Sequence, residues 1–562
     1  MDIFGEVMDR SAREQLWGQV QVGQALALLS GMLRDLDLGD VSPASVEAGW
    51  VSVLPRPAVT RAREALRDGR RLLPPQLLLV SMMEALRFCP AGSARDDLSD
   101  LDVVLRAVWS IADSVGQLRD EAGPRWGGLE ASLAAEMMAN QYFNVGAYPV
   151  PLFARAEVTW RSGWASSVDP QLQTLAGGTP AELFAEATKC DLDSFFGVAV
   201  HLWVQAQQHR YLRFPPEFFR RIGIDPAAVD RFLDATSVSL ADLQAHAASY
   251  DAAQQPWAFN ELRTHPIVQL PDGSVQVIRL GYVLERAFGQ VPEFDVRKHL
   301  GKMDGSTGLM TDKGREQAFR SSLNKQFEHS VGSTLWRIFP ATGVFKQIYT
   351  EDEMWGAWWI KRDQPSVSDW VVDCGNVWLC LDANNRRLSQ ALVRGFASPD
   401  DLNTEVSRAL AGRKASQMAS TIDLLTEQLP LLASGRTMPP DTKFVPLIVV
   451  PEDGLPWNPA VHNRVQEITK GIATLQSDRV MPLGVVTLHD LGFLERAVED
   501  GHDAGGLVTA WRSESPEIPL QHFLDTRGVP LRRPQFETDA FQQLTDELLE
   551  QMTRHLEEQT EG

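Results

Sequence analysis

The chain has 562 residues, too many for one ordinary hydrophobic core, so its length predicts about two to four domains. A hydrophobic content of 44% and a charged content of 23% are typical of a globular protein in water. The formal net charge of −21 disfavours a protein that binds polyanions over its whole surface, because its overall field repels phosphates. A local basic groove remains compatible with that charge.

Two further counts concern organisation and compartment. The chain has 10 lysines against 43 arginines, and nine of the lysines lie between Lys298 and Lys470, which predicts a separate unit in the second half. Acidic residues near the N-terminus are unlike a signal peptide, and no apolar run is long enough to cross a bilayer. The four cysteines lack CxxC spacing and are typical of reduced thiols, so we expect a cytoplasmic protein with no membrane segment. These cysteines are Cys89, Cys190, Cys374 and Cys380.

Residues 1–260 are predicted to form a helical domain of unassigned role. Ser239 is a candidate N-cap for a helix that ends near Ala248, with Asp242 three residues further on. We find no catalytic constellation in this region. Apolar residues recur at helical spacing, between breaks that contain Pro or Gly, in residues 62–69, 77–88, 98–115, 129–142 and 181–187.

Residues 261–310 are predicted to form a small β-hairpin and a connector. Two short strands within 265–280 flank a Pro-Asp-Gly turn, and a helix containing Tyr282 follows. The glycine-containing stretch 301–308 does not end in GKS or GKT, so we interpret it as a linker and not as a phosphate-binding loop.

Residues 311–500 show a helix, three strands and then alternating helices and strands. The sequence predicts a helix over 313–335, a strand over 344–349 and a hairpin over 368–384. Helices over 388–395 and 402–432 follow. Almost wholly apolar runs at 444–450 and 481–488 predict buried strands, separated by a helix over 461–475 and followed by one that begins at His489. A mixed sheet flanked by helices satisfies this order, so the fold class is α + α/β.

Residues 501–562 are predicted to be a C-terminal extension that ends in an acidic helix. Residues 537–561 contain eight acidic residues and one arginine. Its apolar line is expected to dock on the body of the protein or on a second subunit. The line consists of Phe541, Leu544, Leu548 and Met552.

The predicted hairpin carries the candidate site. Asp369 opens its first strand, and its second strand closes on Asp382-Ala383-Asn384. Side chains alternate along a strand, so Asp382 and Asn384 point the same way. Carboxylates on adjacent strands provide the oxygen ligands that Mg²⁺ prefers.

This arrangement resembles the PD-(D/E)XK nuclease superfamily, which has the restriction-endonuclease-like fold. The resemblance covers roughly residues 311–500 and implies a helix–strand–strand–strand–helix–strand core. It also implies Mg²⁺ as cofactor, Glu328, Asp369 and Asp382 as metal ligands, and Asp369, Asp382 and Asn384 as catalytic residues. Asn384 stands where the motif has lysine. An amide can hydrogen-bond a water molecule, but it carries no positive charge.

The replacement of the motif lysine by Asn384 leaves three possibilities for the activity of the site. The amide suffices for cleavage, as in some members of the superfamily, or a cation from elsewhere replaces the lysine, or the site is inactive. Taken singly, each acid is also explained by a turn, a strand end or a solvated helix face. The candidate replacements are Lys346, Lys361, Arg386 and Arg387. A second set that follows the third strand could line a phosphate-facing groove, or could simply be solvated: Arg386, Arg387, Arg394, Arg413 and Lys414.

Two other features have a structural interpretation beside a functional one. His329 is next to Glu328 and could assist catalysis, although a lone histidine is more often structural. Several tryptophans surround the hairpin and could stack on bases, with core packing as their more common use. These are Trp355, Trp358, Trp359, Trp370 and Trp378.

The resemblance therefore implies a Mg²⁺-dependent, nuclease-like protein that acts on nucleic acid phosphodiesters. By analogy alone, its role would be defence against foreign DNA. The alternative is a catalytically inactive nuclease-fold protein that serves as a binding or assembly scaffold. The expected partners are nucleic acid, and another protein or a second copy bound through the helical region or the acidic C-terminal helix.

Overall fold

The structure is a computed structural model. It describes residues 8–39, 42–92, 98–122, 137–140, 143, 149–161, 170–209, 212–251, 257–301, 313–340, 347–359, 365–389, 399–408, 412–434, 436–452 and 454–561. The statements below concern those residues. Most of the predicted helix over 129–142 and of the connector over 301–308 lies outside them.

Helices dominate the first 250 residues, as the apolar spacing predicts. The N-cap at Ser239 is confirmed, because its side chain accepts a hydrogen bond from the backbone N–H of Asp242. A π-helical turn, Glu157–Arg161, follows α7. The helices are α1 (Arg10–Trp17), α2 (Val22–Leu38), α3 (Pro43–Val51), α4 (Arg56–Arg67), α5 (Pro75–Phe88), α6 (Leu101–Ala122), α7 (Pro149–Ala156), α8 (Pro170–Ala176), α9 (Pro180–Thr188), α10 (Leu192–Gln208), α11 (Pro216–Phe219), α12 (Pro226–Thr236) and α13 (Leu240–Ala248).

A four-stranded sheet crosses the boundary that the sequence predicts at residue 260. The predicted hairpin is confirmed, but its strands pair with two strands from the preceding region, in the order β1-β4-β3-β2. The hairpin predicted within 261–310 thus forms the centre of a larger sheet, since a two-stranded hairpin gains stability by adding further strands. The strands are β1 (Arg213–Phe214), β2 (Ser237–Ser239), β3 (Ile267–Gln269) and β4 (Val275–Val277).

Short and long helices link this sheet to the next. Before and after β3 and β4 lie α14 (Asn260–Thr264), α15 (Leu280–Phe288) and α16 (Val291–Leu300). The long helix α17 (Lys313–Ile338) follows and confirms the helix predicted over 313–335.

The second sheet has five strands in the order β5-β6-β7-β8-β9. The first three are antiparallel neighbours, whereas β7, β8 and β9 run parallel, which requires helical crossovers. A mixed sheet flanked by helices is thus confirmed. The strands are β5 (Ile348–Thr350), β6 (Trp370–Asp373), β7 (Val377–Ala383), β8 (Lys443–Val450) and β9 (Gly484–Thr487).

The tight turn between β6 and β7 forms where the sequence predicts it. Gly375 has a φ of 83°, a left-handed conformation that favours glycine, and its N–H donates to Asp373 Oδ1 at 2.8 Å. The turn fixes the register that pairs Trp370 with Leu381.

Helices surround this sheet. One, α18, was not predicted; its N-terminus is closed by a capping box between Thr350 and Glu353. Residues 388 and 389 are not helical, and the rest of the helix predicted over 388–395 lies outside the described residues. The helices are α18 (Glu351–Trp358), α19 (Pro399–Val406), α20 (Arg413–Leu432), α21 (Pro459–Thr469), α22 (Leu488–Glu499), α23 (Ala504–Glu514), α24 (Leu520–Thr526) and α25 (Gln535–Glu561).

Buried apolar side chains form three clusters. The first joins α2–α6 to one face of the second sheet, including Leu379 and Leu381 of β7. The second lies around α7, α10 and α15 and includes Leu548 of α25. The third fills the other face of the second sheet, where Cys380 of β7 meets α18 and α20. The acidic C-terminal helix therefore docks on the body of its own chain.

Two further findings bear on the sequence predictions. The four cysteines form no disulfide; Cys374 is half-buried and the others are buried. In the part of the chain that the structure describes, every helix is too short or too polar to span a bilayer.

Candidate functional site

Asp369 and Asp382 lie opposite each other on adjacent strands. The register that pairs Trp370 with Leu381 brings the residue before β6 next to Asp382. Asp369 Oδ2 accepts a hydrogen bond from the N–H of Ala383 at 2.7 Å, and its backbone carbonyl accepts one from the N–H of Glu351 at 2.9 Å. Asp369 is thus tied to the end of β7 and to the start of α18.

Asp382 points from β7 into the layer between the sheet and α20. Its side chain is completely buried. One oxygen, Oδ1, accepts a hydrogen bond from the Lys414 ammonium, while Oδ2 is buried without a hydrogen-bond partner. Burial raises the pKa of Asp382 well above its ordinary range, and the negative charge of Asp369 raises it further. A bound cation would relieve both effects.

Lys414 supplies the positive charge that Asn384 lacks. It is the second residue of α20, and it reaches Asp382 across 32 residues of sequence. Burial alone would lower the pKa of Lys414, but the charges of Asp382 and Asp369 outweigh it and raise the pKa above its usual value. The ammonium group therefore stays protonated at neutral pH.

Glu328 lies close enough to Lys414 and Glu351 for its charge to act on both. Its helix, α17, covers the opposite face, where Phe327 and Val331 pack against the sheet core. Glu328 Oε2 accepts a hydrogen bond from Lys325 Nζ at 2.7 Å, and this bond raises the pKa of Lys325. The charge of Glu328 also acts on Lys414, so the predicted helix acid is a neighbour of the cluster.

Glu351 is a fourth carboxylate that the sequence did not single out. It is the first residue of α18, and burial raises its pKa to about 7, with further increases from the charges of Asp369 and Glu328. Four acids and two lysines thus gather at one edge of the second sheet. They are Glu328, Glu351, Asp369, Asp382, Lys325 and Lys414.

The residue types of the cluster suit a divalent cation, but their positions do not form a complete set of ligands. Carboxylate oxygens are the ligands that Mg²⁺ prefers, and Oδ2 of Asp382 is buried without a hydrogen-bond partner. However, among the described residues no group of three or more His, Cys, Asp or Glu side chains is set to hold a metal ion. The predicted trio of Glu328, Asp369 and Asp382 is therefore not formed as a ready-made ligand set.

Asn384 follows the last residue of β7. Its backbone N–H donates to the carbonyl of Val449 at 2.8 Å, so pairing with β8 continues past the strand end. Asn384 thus remains beside the cluster, while the role predicted for its amide stays a prediction.

The cations proposed as replacements are placed differently. Arg386 pairs with Glu405 at 3.4 Å and Arg387 pairs with Glu293, so both arginines serve other contacts. Arg413 is exposed beside Lys414. Lys346, Lys361 and Arg394 lie outside the described residues.

Three of the five tryptophans follow their structural interpretation, whereas His329 does not lie in the core. His329 is exposed, on a different side of α17 from the sheet core. Trp358, Trp370 and Trp378 are buried, whereas Trp359 is 51% exposed. Close packing at Trp370 requires Gly332 of α17, since a Cβ there would lie 3.2 Å from the indole ring.

Lys414 was predicted only as a cation of a possible phosphate-facing groove, and Glu351 was not singled out, because their place beside the aspartates depends on the order of the elements. Lys414 follows Gly412-Arg413 at a helix start, and Glu351 follows a capping threonine, so both signals indicate helix N-termini. Neither indicates a neighbour that is distant in sequence.

Comparisons with family models, with curated proteins and with solved structures each found no match.

Proposed function

We propose that the chain is a metal-dependent, nuclease-like hydrolase of phosphodiesters, with a PD-(D/E)XK-type site in which Lys414 replaces the motif lysine. The contact between the Lys414 ammonium and the carboxylate of Asp382, opposite Asp369, carries this proposal. The element order around the site also supports it: apart from the inserted helices α18 and α19, the elements α17, β5, β6, β7, α20 and β8 follow the helix–strand–strand–strand–helix–strand order of that superfamily.

The chemistry divides among the chain's own groups. Asp369 and Asp382 would hold Mg²⁺, with Glu328 or Glu351 as the next oxygen donor. The ion supplies charge stabilisation for the phosphoryl group and lowers the pKa of a bound water. The N–H of Ala383 orients Asp369, and Lys414 orients Asp382 and presents a positive charge where negative charge develops. Asn384 can accept or donate a hydrogen bond at the same edge.

Nucleic acid is the substrate class of this proposal, and two exposed cations beside the acid cluster support it. Exposed Lys325 and Arg413 flank the acid cluster from α17 and α20. Because the chain as a whole carries −21, we expect contact with phosphates to be confined to this edge. A role in defence against foreign DNA remains an extension of the proposal by analogy.

Cation binding is the first test. Titration calorimetry with Mn²⁺ on the full chain should show binding that is lost in Asp382→Asn and Asp369→Asn. It should be retained in Asp478→Asn, an exposed control. Binding that survives in both site variants would remove the metal site from the proposal.

Cleavage is the second test. Plasmid, linear duplex, single-stranded DNA and RNA are each incubated with the protein and Mg²⁺ or Mn²⁺. We expect cleavage that is lost in Lys414→Met and kept in Lys470→Met, an exposed lysine outside the cluster. Asn384→Lys distinguishes an amide that works beside Lys414 from a decayed position, because only a decayed position gains activity on substitution.

One observation favours the scaffold alternative. The described carboxylates form no ready three-acid group, and Lys325 and Lys414 already neutralise two of them. The alternative would be supported by a folded protein that binds nucleic acid or another protein, does not bind Mn²⁺, and cleaves none of these substrates.

A further inference from the structure

A cavity of about 370 Å³ lies behind α17, on the side away from the acid cluster. Its walls come from α7 and the π-helical turn, from α17, α22 and α25, and from the segment that follows β7. It therefore lies where the first and second apolar clusters meet. Its volume falls within the range of about 300–1,000 Å³ that is common for small-molecule sites, which often occur between structural units.

The arginines that line the cavity are already neutralised. Arg155 pairs with Glu452 at 2.5 Å, and Arg337 pairs with Glu495 at 2.6 Å. Arg387 pairs with Glu293. Each pair joins two segments that are distant in sequence, so each contributes to holding the walls together. An anionic ligand would have to compete with a glutamate at every one of these arginines.

Glu537 is a fourth glutamate in the lining, and it is poorly compensated. Its Oε2 atom is buried without a hydrogen-bond partner, and its closest cation, Arg533, stands 3.7 Å away. Burial raises the pKa of Glu537 to about 7. Gly492 leaves room for this carboxylate, since a Cβ at that position would lie 2.8 Å from Oε1. Glu537 thus has an ion-pair partner in Arg533 but no hydrogen-bond donor for its Oε2 atom.

The rest of the lining offers apolar and aromatic surface. Phe327 and Leu488 contribute from α17 and α22, and Trp160 from the π-helical turn. Phe536, next to Glu537, is 39% exposed, and its ring is covered on one side by Arg337 at 3.9 Å from the ring centre. A flat apolar body would fit against these groups.

We propose that this cavity binds a small organic cation, a protonated amine or amidine on a flat apolar body, with its N–H groups donating to Glu537. The contact would give the Glu537 carboxylate a hydrogen-bond donor, which Arg533 at 3.7 Å does not supply. Charge-assisted hydrogen bonds of this kind are among the stronger polar contacts in proteins. This site is independent of phosphodiester cleavage.

Three isosteric probes test the charge of the ligand: benzamidine, benzamide and benzoate. Titration calorimetry on the full chain should give binding of benzamidine at least about tenfold tighter than binding of benzamide, with no measurable binding of benzoate. Equal binding of the three probes, or no binding of benzamidine at millimolar concentration, would overturn the proposal.

Two variants locate the binding. Glu537→Gln keeps the shape but removes the charge, and should lose the preference for benzamidine over benzamide. The control Glu550→Gln changes an exposed glutamate on the same helix and should keep it. Ser333→Phe fills the cavity from α17 and should abolish binding of both probes. Benzamidine binding that persists in Glu537→Gln and Ser333→Phe, with normal thermal unfolding, would place it elsewhere and refute the assignment.

Discussion

At the scale of single residues, the site depends on a carboxylate that is costly to keep buried. Asp382 has a raised pKa, so its ionised form is less stable in the folded chain than in the unfolded one. Lys414 offsets part of this cost through one oxygen only. Groups with such opposing requirements are common where chemistry takes place.

Asp382→Asn should therefore gain stability relative to the parent as pH rises, when divalent cations are absent. The folded-state pKa is raised, so the parent loses stability as pH rises from about 4 through the folded pKa, by at most about 1.4 kcal/mol per pH unit. Urea unfolding at pH 5 and pH 8 measures this difference. A difference that is constant with pH would contradict the burial assigned to Asp382.

His489 has the opposite effect on the pH dependence of stability: it destabilises the folded chain at low pH. Arg533 donates a hydrogen bond to its Nε2, and desolvation followed by the charge of Arg533 lowers the pKa of His489 well below its usual value. The unfolded chain binds a proton at this residue below about pH 6.5, whereas the folded chain does not.

We expect the parent to lose stability between pH 6.5 and pH 5, and His489→Gln to lose less, because glutamine accepts the same hydrogen bond without titrating. Urea unfolding across this pH range measures the effect. His502→Gln, at an exposed histidine, should follow the parent; if His489→Gln does so too, His489 is accessible to protons in the folded state.

At the scale of helices and strands, the sequence predicted most elements of the second sheet. Phe444–Val450 and the residues before His489 are almost wholly apolar, which indicates buried strands, and the Asp-Cys-Gly-Asn turn fixed the hairpin. Asp369 and Asp382 could be paired from this hairpin alone. Lys414 could not, because its contact depends on how α20 crosses the sheet, and no local pattern encodes that path.

The C-terminal helix shows how one apolar line sets a docking surface. Leu544 and Leu548 are buried against α7 and α10, whereas Leu549, the next residue, is 37% exposed. The sequence predicted the line correctly, and left open which surface it covers.

Leu548→Ala should lower the free energy of unfolding by about 2–5 kcal/mol, because it leaves a cavity in the second apolar cluster. Leu549→Ala should cost less than about 1 kcal/mol and is the matched control. Thermal and urea unfolding measure both. Similar losses in the two variants would mean that α25 does not dock through the line described.

At the scale of the whole molecule, the regions depend on one another more than the predicted boundaries suggest. Arg279 and Asp37 form a buried ion pair at 2.9 Å that joins α2 to the start of α15, and Arg279 also donates to the carbonyl of Phe143 at 2.6 Å. Arg512 of α23 is buried and donates to the carbonyls of Pro482 and Leu483 at 3.0 Å each, next to β9. The second sheet thus requires residues beyond 500.

A fragment of residues 311–500 should therefore fail to fold cooperatively, since it lacks Arg512 and buried Trp511. Circular dichroism during heating should show a broad, gradual change for the fragment and a cooperative transition for the full chain. A sharp transition in the fragment would instead support the predicted boundary at residue 500.

The two sides of α17 have a consequence for how the molecule responds to ligands. One side brings Glu328 and Lys325 to the acid cluster, while the other lines the cavity with Ser330 and Arg337. If a cation in the cavity alters the affinity of the cluster for Mn²⁺, thermodynamic reciprocity requires Mn²⁺ to alter the affinity of the cavity by the same factor. Calorimetry with either ligand added first should then give the same coupling factor. A factor of one would mean that the two sides of α17 bind their ligands independently.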